Sequence, residues 1–273
     1  MLTGVLEMTL KSQKHPLIAI IPAVICAISL GGCSRGNFPW SRQSDLKTAT
    51  HSTVLVGSSV SGKPIRMHVF GQDGPATLIF AGIHGDEGIS QVIALGMIEH
   101  LLSDKTLYES RKVAVIPSAN PDGLLAGTRV NANAVDCNRN FPARNWKPQA
   151  AGARYSPGTA PGSEPETKAI LEAIKIFDPD AIVSIHSTDS FAPCNNYDGP
   201  AKELAELMAP HNGFPAKGSV GYPTPGSFGT WAGVEREIPT ITLELPNKAR
   251  VQKIWPGNRD ALLTFIDAVG QRP

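Results

Sequence analysis

Thr77-Leu78-Ile79-Phe80-Ala81-Gly82-Ile83-His84-Gly85-Asp86-Glu87-Gly88 is the stretch on which the reading of this chain turns. Up to Ile83 it is apolar, β-branched or small, the pattern of a strand buried on both faces. A glycine-flanked turn then leads straight into helical spacing that starts at Ile89. A buried strand feeding a helix is a half-unit of an α/β fold, and the pattern recurs. Strands are expected at 53–56, 65–70, 76–83, 112–117, 181–186 and 240–245, and helices at 89–102, 164–177, 201–209 and 258–269. Alternating strands and helices imply a sheet between helices, with ligand sites outside the carboxyl ends of the strands. Polar residues that end a buried strand are therefore the candidates for chemistry.

His84 and Glu87 end the first such strand. A histidine and an acid three apart can face one ion, and imidazole with carboxylate suits Zn²⁺. The spacing alone is weak, because 7 His and 24 acids in 273 residues produce about 0.6 such pairs by chance. Its place in a strand-to-helix turn is what gives it weight. A third ligand must come from elsewhere, and His186 closes the strand Ile182-Val183-Ser184-Ile185-His186. Glu244 lies in Ile241-Thr242-Leu243-Glu244-Leu245, where burying a carboxylate is costly unless pairing or function compensates.

A second cluster follows the 112–117 strand. Asn120-Pro121-Asp122-Gly123, Arg129-Val130-Asn131 and Asp136-Cys137-Asn138-Arg139-Asn140-Phe141-Pro142 form a loop dense in amide and guanidinium groups. Arginine binds carboxylates through paired hydrogen bonds, and a fixed cation stabilises a developing oxyanion. Arg129 and Arg139 are suited to divide those tasks.

These motifs, in this order and spacing, resemble the zinc metallocarboxypeptidases across nearly the whole domain. The resemblance implies a mixed, mostly parallel central sheet flanked by helices and one zinc ion on His84, Glu87 and His186. It further implies Arg129 at the oxyanion, Asn138 and Arg139 on a substrate carboxylate, and Glu244 as general base and acid. Tyr222 resembles a substrate-capping tyrosine, although Pro223 and Pro225 beside it read as a stiff loop. Cys194-Asn-Asn-Tyr-Asp-Gly-Pro-Ala, Tyr222-Pro-Thr-Pro-Gly-Ser-Phe-Gly-Thr-Trp231 and Pro239-Thr-Ile-Thr-Leu-Glu244-Leu-Pro narrow the likeness. They point to a subgroup that cuts the γ-D-glutamyl to diaminopimelate amide of murein peptides. Two alternatives stay open: a carboxypeptidase removing C-terminal residues, and a non-catalytic, zinc-dependent lipoprotein that binds cell-wall peptides.

The amino-terminal part has a different character. Lys11, Lys14 and His15 precede an uncharged, mostly apolar run from 17 to 30, short for a membrane span and built like a signal peptide. Leu30-Gly31-Gly32-Cys33 resembles the lipobox of bacterial lipoproteins, which implies lipidation of Cys33. The expected organisation is a signal peptide at 1–32, lipidated Cys33 with a polar tether at 33–51, and a catalytic domain at 52–273. The expected location is the cell envelope, on the periplasmic face of the outer membrane in a two-membrane source. Such an anchor departs from the cytoplasmic habit of the subgroup, and Cys137 stands where the family usually has a larger apolar residue. Cys137 and Cys194 could form a disulfide or be two small buried side chains. A net charge of +1 supplies no field that would attract nucleic acid.

Overall fold

The computed structural model describes residues 51–150 and 152–271. The signal segment, Cys33 and the tether up to residue 50 lie outside the described residues. The strands are β1 (His51–Ser58), β2 (Pro64–Phe70), β3 (Ala76–Ala81), β4 (Lys112–Ile116), β5 (Ala181–Thr188), β6 (Cys194–Asp198), β7 (Ala216–Lys217) and β8 (Thr240–Pro246). They form one sheet in the order β1-β2-β4-β3-β5-β8-β6-β7. Its centre, β4-β3-β5-β8, is parallel, and antiparallel pairing enters where β2 meets β4 and where β6 meets β8. The helices are α1 (Gly88–Ser103), α2 (Pro121–Ala126), α3 (Pro165–Phe177), α4 (Lys202–Asn212) and α5 (Val251–Val269).

Period-two alternation along the central strands divides their side chains between two cores. Ile79, Val183 and Leu243 face α1, α4 and α5, where Met97, Met208 and Phe265 are buried. Leu78, Phe80 and Ile182 face α3 and the long loops, where Ile170, Phe141 and Phe228 are buried. Every residue of β3 is buried, which explains its unbroken apolar run. None of the described helices is long and apolar enough to cross a membrane.

The chain winds in opposite directions from neighbouring strands. From β3 it passes through α1 to β4 on one side, while β8 follows on the other side of β5. The carboxyl ends of β3 and β5 thus flank a topological switch point, where open α/β sheets form their ligand crevices.

Three departures from the sequence expectation have physical causes. Strand β6 is Cys-Asn-Asn-Tyr-Asp, and its polar residues hide any apolar period; pairing with β8 makes it a strand. Strand β7 has only two residues. Helix α5 starts at Val251 although Pro256 and Gly257 look like a break, because Trp255 in its first turns packs on α1. A Cβ on Gly96 would lie 2.6 Å from that indole. Cys137 and Cys194 are both buried and free, so they are small interior side chains and not a disulfide.

Candidate metal centre and substrate cleft

The turn after β3 is held by the Asn120-Pro121-Asp122-Gly123 motif. Asn120 caps α2 by accepting from the Gly123 N–H at 2.9 Å, and its Nδ2 donates to the Ile83 carbonyl at 3.2 Å. Gly85 is required at the contact: a Cβ there would lie 1.8 Å from the Gly123 carbonyl carbon. Two motifs far apart in sequence thus interlock, and His84 and Glu87 are fixed at the mouth of the switch point. Asn120, Asp122 and Asn131 support the scaffold and do not line the cleft. Asp122 anchors the β1–β2 turn through Lys63 Nζ at 2.6 Å, and Asn131 donates to Glu164 and Glu166 at 2.8 Å.

His84, Glu87 and His186 converge as expected from the sequence. His84 Nδ1 lies 2.8 Å from Glu87 Oε1 and 3.1 Å from His186 Nδ1, which is 2.9 Å from Glu87 Oε2. Tetrahedral zinc ligands with bonds of about 2.0–2.2 Å stand a little over 3 Å apart, so this donor set fits that ion. No other group of three such side chains comes together among the described residues. All three are buried.

The surrounding contacts orient them. Asp136 Oδ1 is 3.0 Å from His84 Nε2, which assigns the proton to that nitrogen and leaves the Nδ1 lone pair facing the triad. Asp136 also accepts from Arg129 Nε at 2.9 Å and from the Asn138 N–H at 2.9 Å. Burial would raise the Asp136 pKa, but His84 and Arg129 outweigh it and hold the carboxyl well below the usual range. For Glu87, burial is likewise outweighed by the two histidines, and the Ser187 N–H donates to it at 3.0 Å. In the sequence Asp136 was part of a motif with no role of its own; an acid two residues before Asn138-Arg139 was the signal available, and only the structure shows it fully buried.

Around this centre a cleft of about 330 Å³ is lined by Arg129, Asn138, Arg139, Tyr155, Tyr222 and Glu244 among others. Arg129 donates from Nη1 to Glu87 Oε1 at 3.2 Å. The Asn138 Oδ1 accepts from the Phe228 N–H at 2.8 Å, and Arg139 Nη1 donates to the Asn138 carbonyl at 2.8 Å. Both guanidiniums lie over the Tyr155 ring, 5.3 and 5.6 Å from its centroid, a residue the sequence did not single out. Tyr222 sits at the edge of the cleft, 48% exposed.

Glu244 is directly opposite His186 in the β5–β8 ladder. It is buried, and none of the described residues gives its carboxylate a hydrogen bond or an ion pair. Desolvation, with the nearby charge of Glu87, pushes its pKa up to about 8. The cleft therefore combines a ligand triad, two fixed cations and an unpaired carboxylate, the parts of a hydrolytic site.

The pattern of the zinc carboxypeptidases matches residues 45–204. The chain belongs to the zinc carboxypeptidase family and is a zinc-dependent hydrolase by that membership. Murein peptide amidase A of Escherichia coli K12 is 39% identical over 181 residues, which cover 62% of this chain and 70% of that protein. The crystal structure of the murein-tripeptide amidase of Escherichia coli O157 superposes with a TM-score of 0.63 at 32% identity, over 83% of this chain and 95% of the other. Bovine thrombin-activatable fibrinolysis inhibitor shares the fold, with a TM-score of 0.70 at 21% identity over 81% and 90% of the two chains.

Proposed function

We propose that this protein hydrolyses an amide bond in murein peptides, the bond between γ-D-glutamate and meso-diaminopimelate, using one zinc ion on His84, Glu87 and His186. The observation that carries the reading is Glu244: a buried, unpaired carboxylate facing the triad beside two fixed arginines. Bound zinc supplies Lewis-acid charge that acidifies water and polarises a carbonyl. Glu244 takes the proton of the attacking water and returns it to the leaving amine. The positive charge that His84, Glu87 and His186 would hold there would favour the ionised form of Glu244, the form that acts as a base. Arg129, already positioned by Asp136, donates to the oxygen on which negative charge develops. Asn138 and Arg139 hold the α-carboxylate that diaminopimelate carries beside the scissile amide, and Tyr222 covers the bound substrate.

Cys33 carries a lipid that tethers the domain to the cell envelope, where it meets cell-wall peptides; the support for this is the apolar run and Leu30-Gly31-Gly32-Cys33. Removal of C-terminal residues from ordinary peptides is the second reading, favoured by the same Asn138 and Arg139. Zinc-loaded protein is to be incubated with L-alanyl-γ-D-glutamyl-diaminopimelate, its D-alanine-extended form and amino-blocked dipeptides, and the products weighed. Release of free diaminopimelate from the tripeptide is expected. Cleavage of the blocked dipeptides alone would replace the amidase reading with the carboxypeptidase one.

A further inference from the structure

We infer that a second cavity bordering Arg139 is a subsite for one further residue on the amine side, joined through the α-carboxyl group and ending in a free carboxylate. The inference rests on the amide-hydrolase reading above and adds a substrate length: stem peptides extended by D-alanine, cut at the same γ-D-glutamyl bond.

This cavity, of about 570 Å³, adjoins the catalytic cleft, and Arg139, Tyr155, Ser190 and Tyr222 line both spaces. An amide formed at the carboxyl group that Arg139 holds keeps a carbonyl oxygen for the guanidinium, and the chain then continues past it. Because Arg139 lines the second cavity as well, the continuing chain has a space to enter. One residue adds at most about 3.6 Å to an extended chain, which a cavity of this size accommodates.

The walls are braced before any substrate arrives. The loop carrying Tyr222, Pro223 and Pro225 is pinned to the segment after Arg139: the Gly226 N–H donates to Asn145 Oδ1 at 2.9 Å, and the Phe141 N–H donates to the Gly226 carbonyl at 3.0 Å. Nothing larger than glycine fits that contact, since a Cβ on Gly226 would lie 2.3 Å from the Arg139 carbonyl oxygen. Trp146 Nε1 donates to the Pro157 carbonyl at 3.4 Å, which ties in a third wall. Walls held in this way lose little freedom when they are occupied.

The charge of the lining selects the occupant. Arg139 and Lys147 line the cavity and no acid does, whereas Asp86, Glu87, Asp189, Asp198 and Glu244 all line the catalytic cleft. No described carboxylate pairs with Lys147. The tyrosine rings and prolines offer apolar surface to a methyl group, and Lys147 offers an ammonium to a terminal carboxylate. D-Alanine joined to diaminopimelate presents both. Water adds across the γ-D-glutamyl amide as before, and the leaving amine is diaminopimelyl-D-alanine in place of free diaminopimelate.

The test measures kcat/KM of the zinc-loaded protein on L-alanyl-γ-D-glutamyl-diaminopimelate, on its D-alanine-extended form and on the extended form ending in D-alaninamide. The tripeptide and the extended acid are expected to lie within about tenfold of each other, because Lys147 restores at the new terminus part of what Arg139 gives up. A site closed at Arg139 would instead leave the guanidinium without its carboxylate and disfavour both extended peptides by on the order of 10⁴-fold. Lys147→Glu is expected to lower the extended acid relative to the tripeptide by roughly tenfold, through a lost attraction and an added repulsion each the size of an exposed ion pair. The extended amide should not follow it. An extended acid more than about tenfold below the tripeptide, a ratio that Lys147→Glu leaves unchanged, or an equal fall for the amide overturns the inference. If none of the peptides is cleaved, the murein reading fails, and calorimetry of diaminopimelyl-D-alanine with zinc-loaded Glu244→Gln decides the subsite. Binding weakened about tenfold by Lys147→Glu upholds it, and equal binding overturns it.

Discussion

The two walls of the cleft are built on opposite principles. On the wall formed by the β3–α1 turn and the 129–139 loop, almost every polar group is matched within the protein. Asp136 serves His84, Arg129 and the Asn138 backbone, and Glu87 serves two histidines, Arg129 and Ser187. On the wall formed by β8 and β6, Glu244 has no described partner, Asp198 has one long contact and the Asn196 oxygen has none. A matched group is held in place before substrate arrives, which is how fixed dipoles and metal ligands act. An unmatched one retains the capacity to exchange a proton or accept a ligand. The matched wall is scaffold for charge, and the unmatched wall is where chemistry and selection are left open.

That contrast can be broken by substitution. The largest effect is expected from Glu244→Gln on the open wall: turnover should drop by about 10²- to 10⁴-fold, the usual contribution of a general acid and base. Zinc content by elemental analysis should stay at one equivalent, and a variant that keeps its turnover would remove Glu244 from the mechanism. Next is Gly85→Ala behind the matched wall, where the new Cβ meets backbone that cannot retreat. A destabilisation of about 3 kcal/mol is expected, or roughly 10 °C in the calorimetric midpoint. An unchanged midpoint would mean that the interlock with Gly123 is dispensable.

Asp136→Asn weakens the matched wall without removing a ligand. Chelator competition should show zinc affinity lowered by about 10- to 100-fold, as for other carboxylates that orient a ligating histidine. Asp122→Asn should have the smallest effect, about 1 kcal/mol or less, because Lys63 is partly exposed. Its signature is in the pH dependence. The folded pKa of Asp122 is depressed to about 2 by Lys63 and the Ser61 N–H, against burial. Its contribution is therefore complete above the unfolded value near 3.8 and lost as pH falls toward 2. Denaturation curves of wild type and variant should converge in that window and separate above it.

The matched wall was largely legible in the sequence and the open wall only in part. His84, Glu87, His186 and Glu244 stand out because each interrupts or ends an apolar run that can only be a buried strand. Arg129, Asn138 and Arg139 are visible as a motif, but its division of labour is not: Asn120 and Asp122 proved to be props, and Asp136 proved to hold His84 and Arg129 in place. Strand β6 escaped notice because three of its five residues are polar, and two of these face the cleft. A residue kept polar to meet a ligand erases the hydrophobic alternation by which a strand is recognised. Tyr155 was invisible for another reason, since a ring that two arginines lie over leaves no trace in local sequence.

The switch point between β3 and β5 has a consequence for how competence is acquired. The groups around it come from positions 84, 129, 186 and 244, and the ladder that sets His186 against Glu244 joins segments about sixty residues apart. No local hairpin or early helix contains a working subset. Distant pairings of this kind slow folding, and because the site draws on all four positions, a molecule in which β8 is not paired with β5 lacks Glu244 opposite His186.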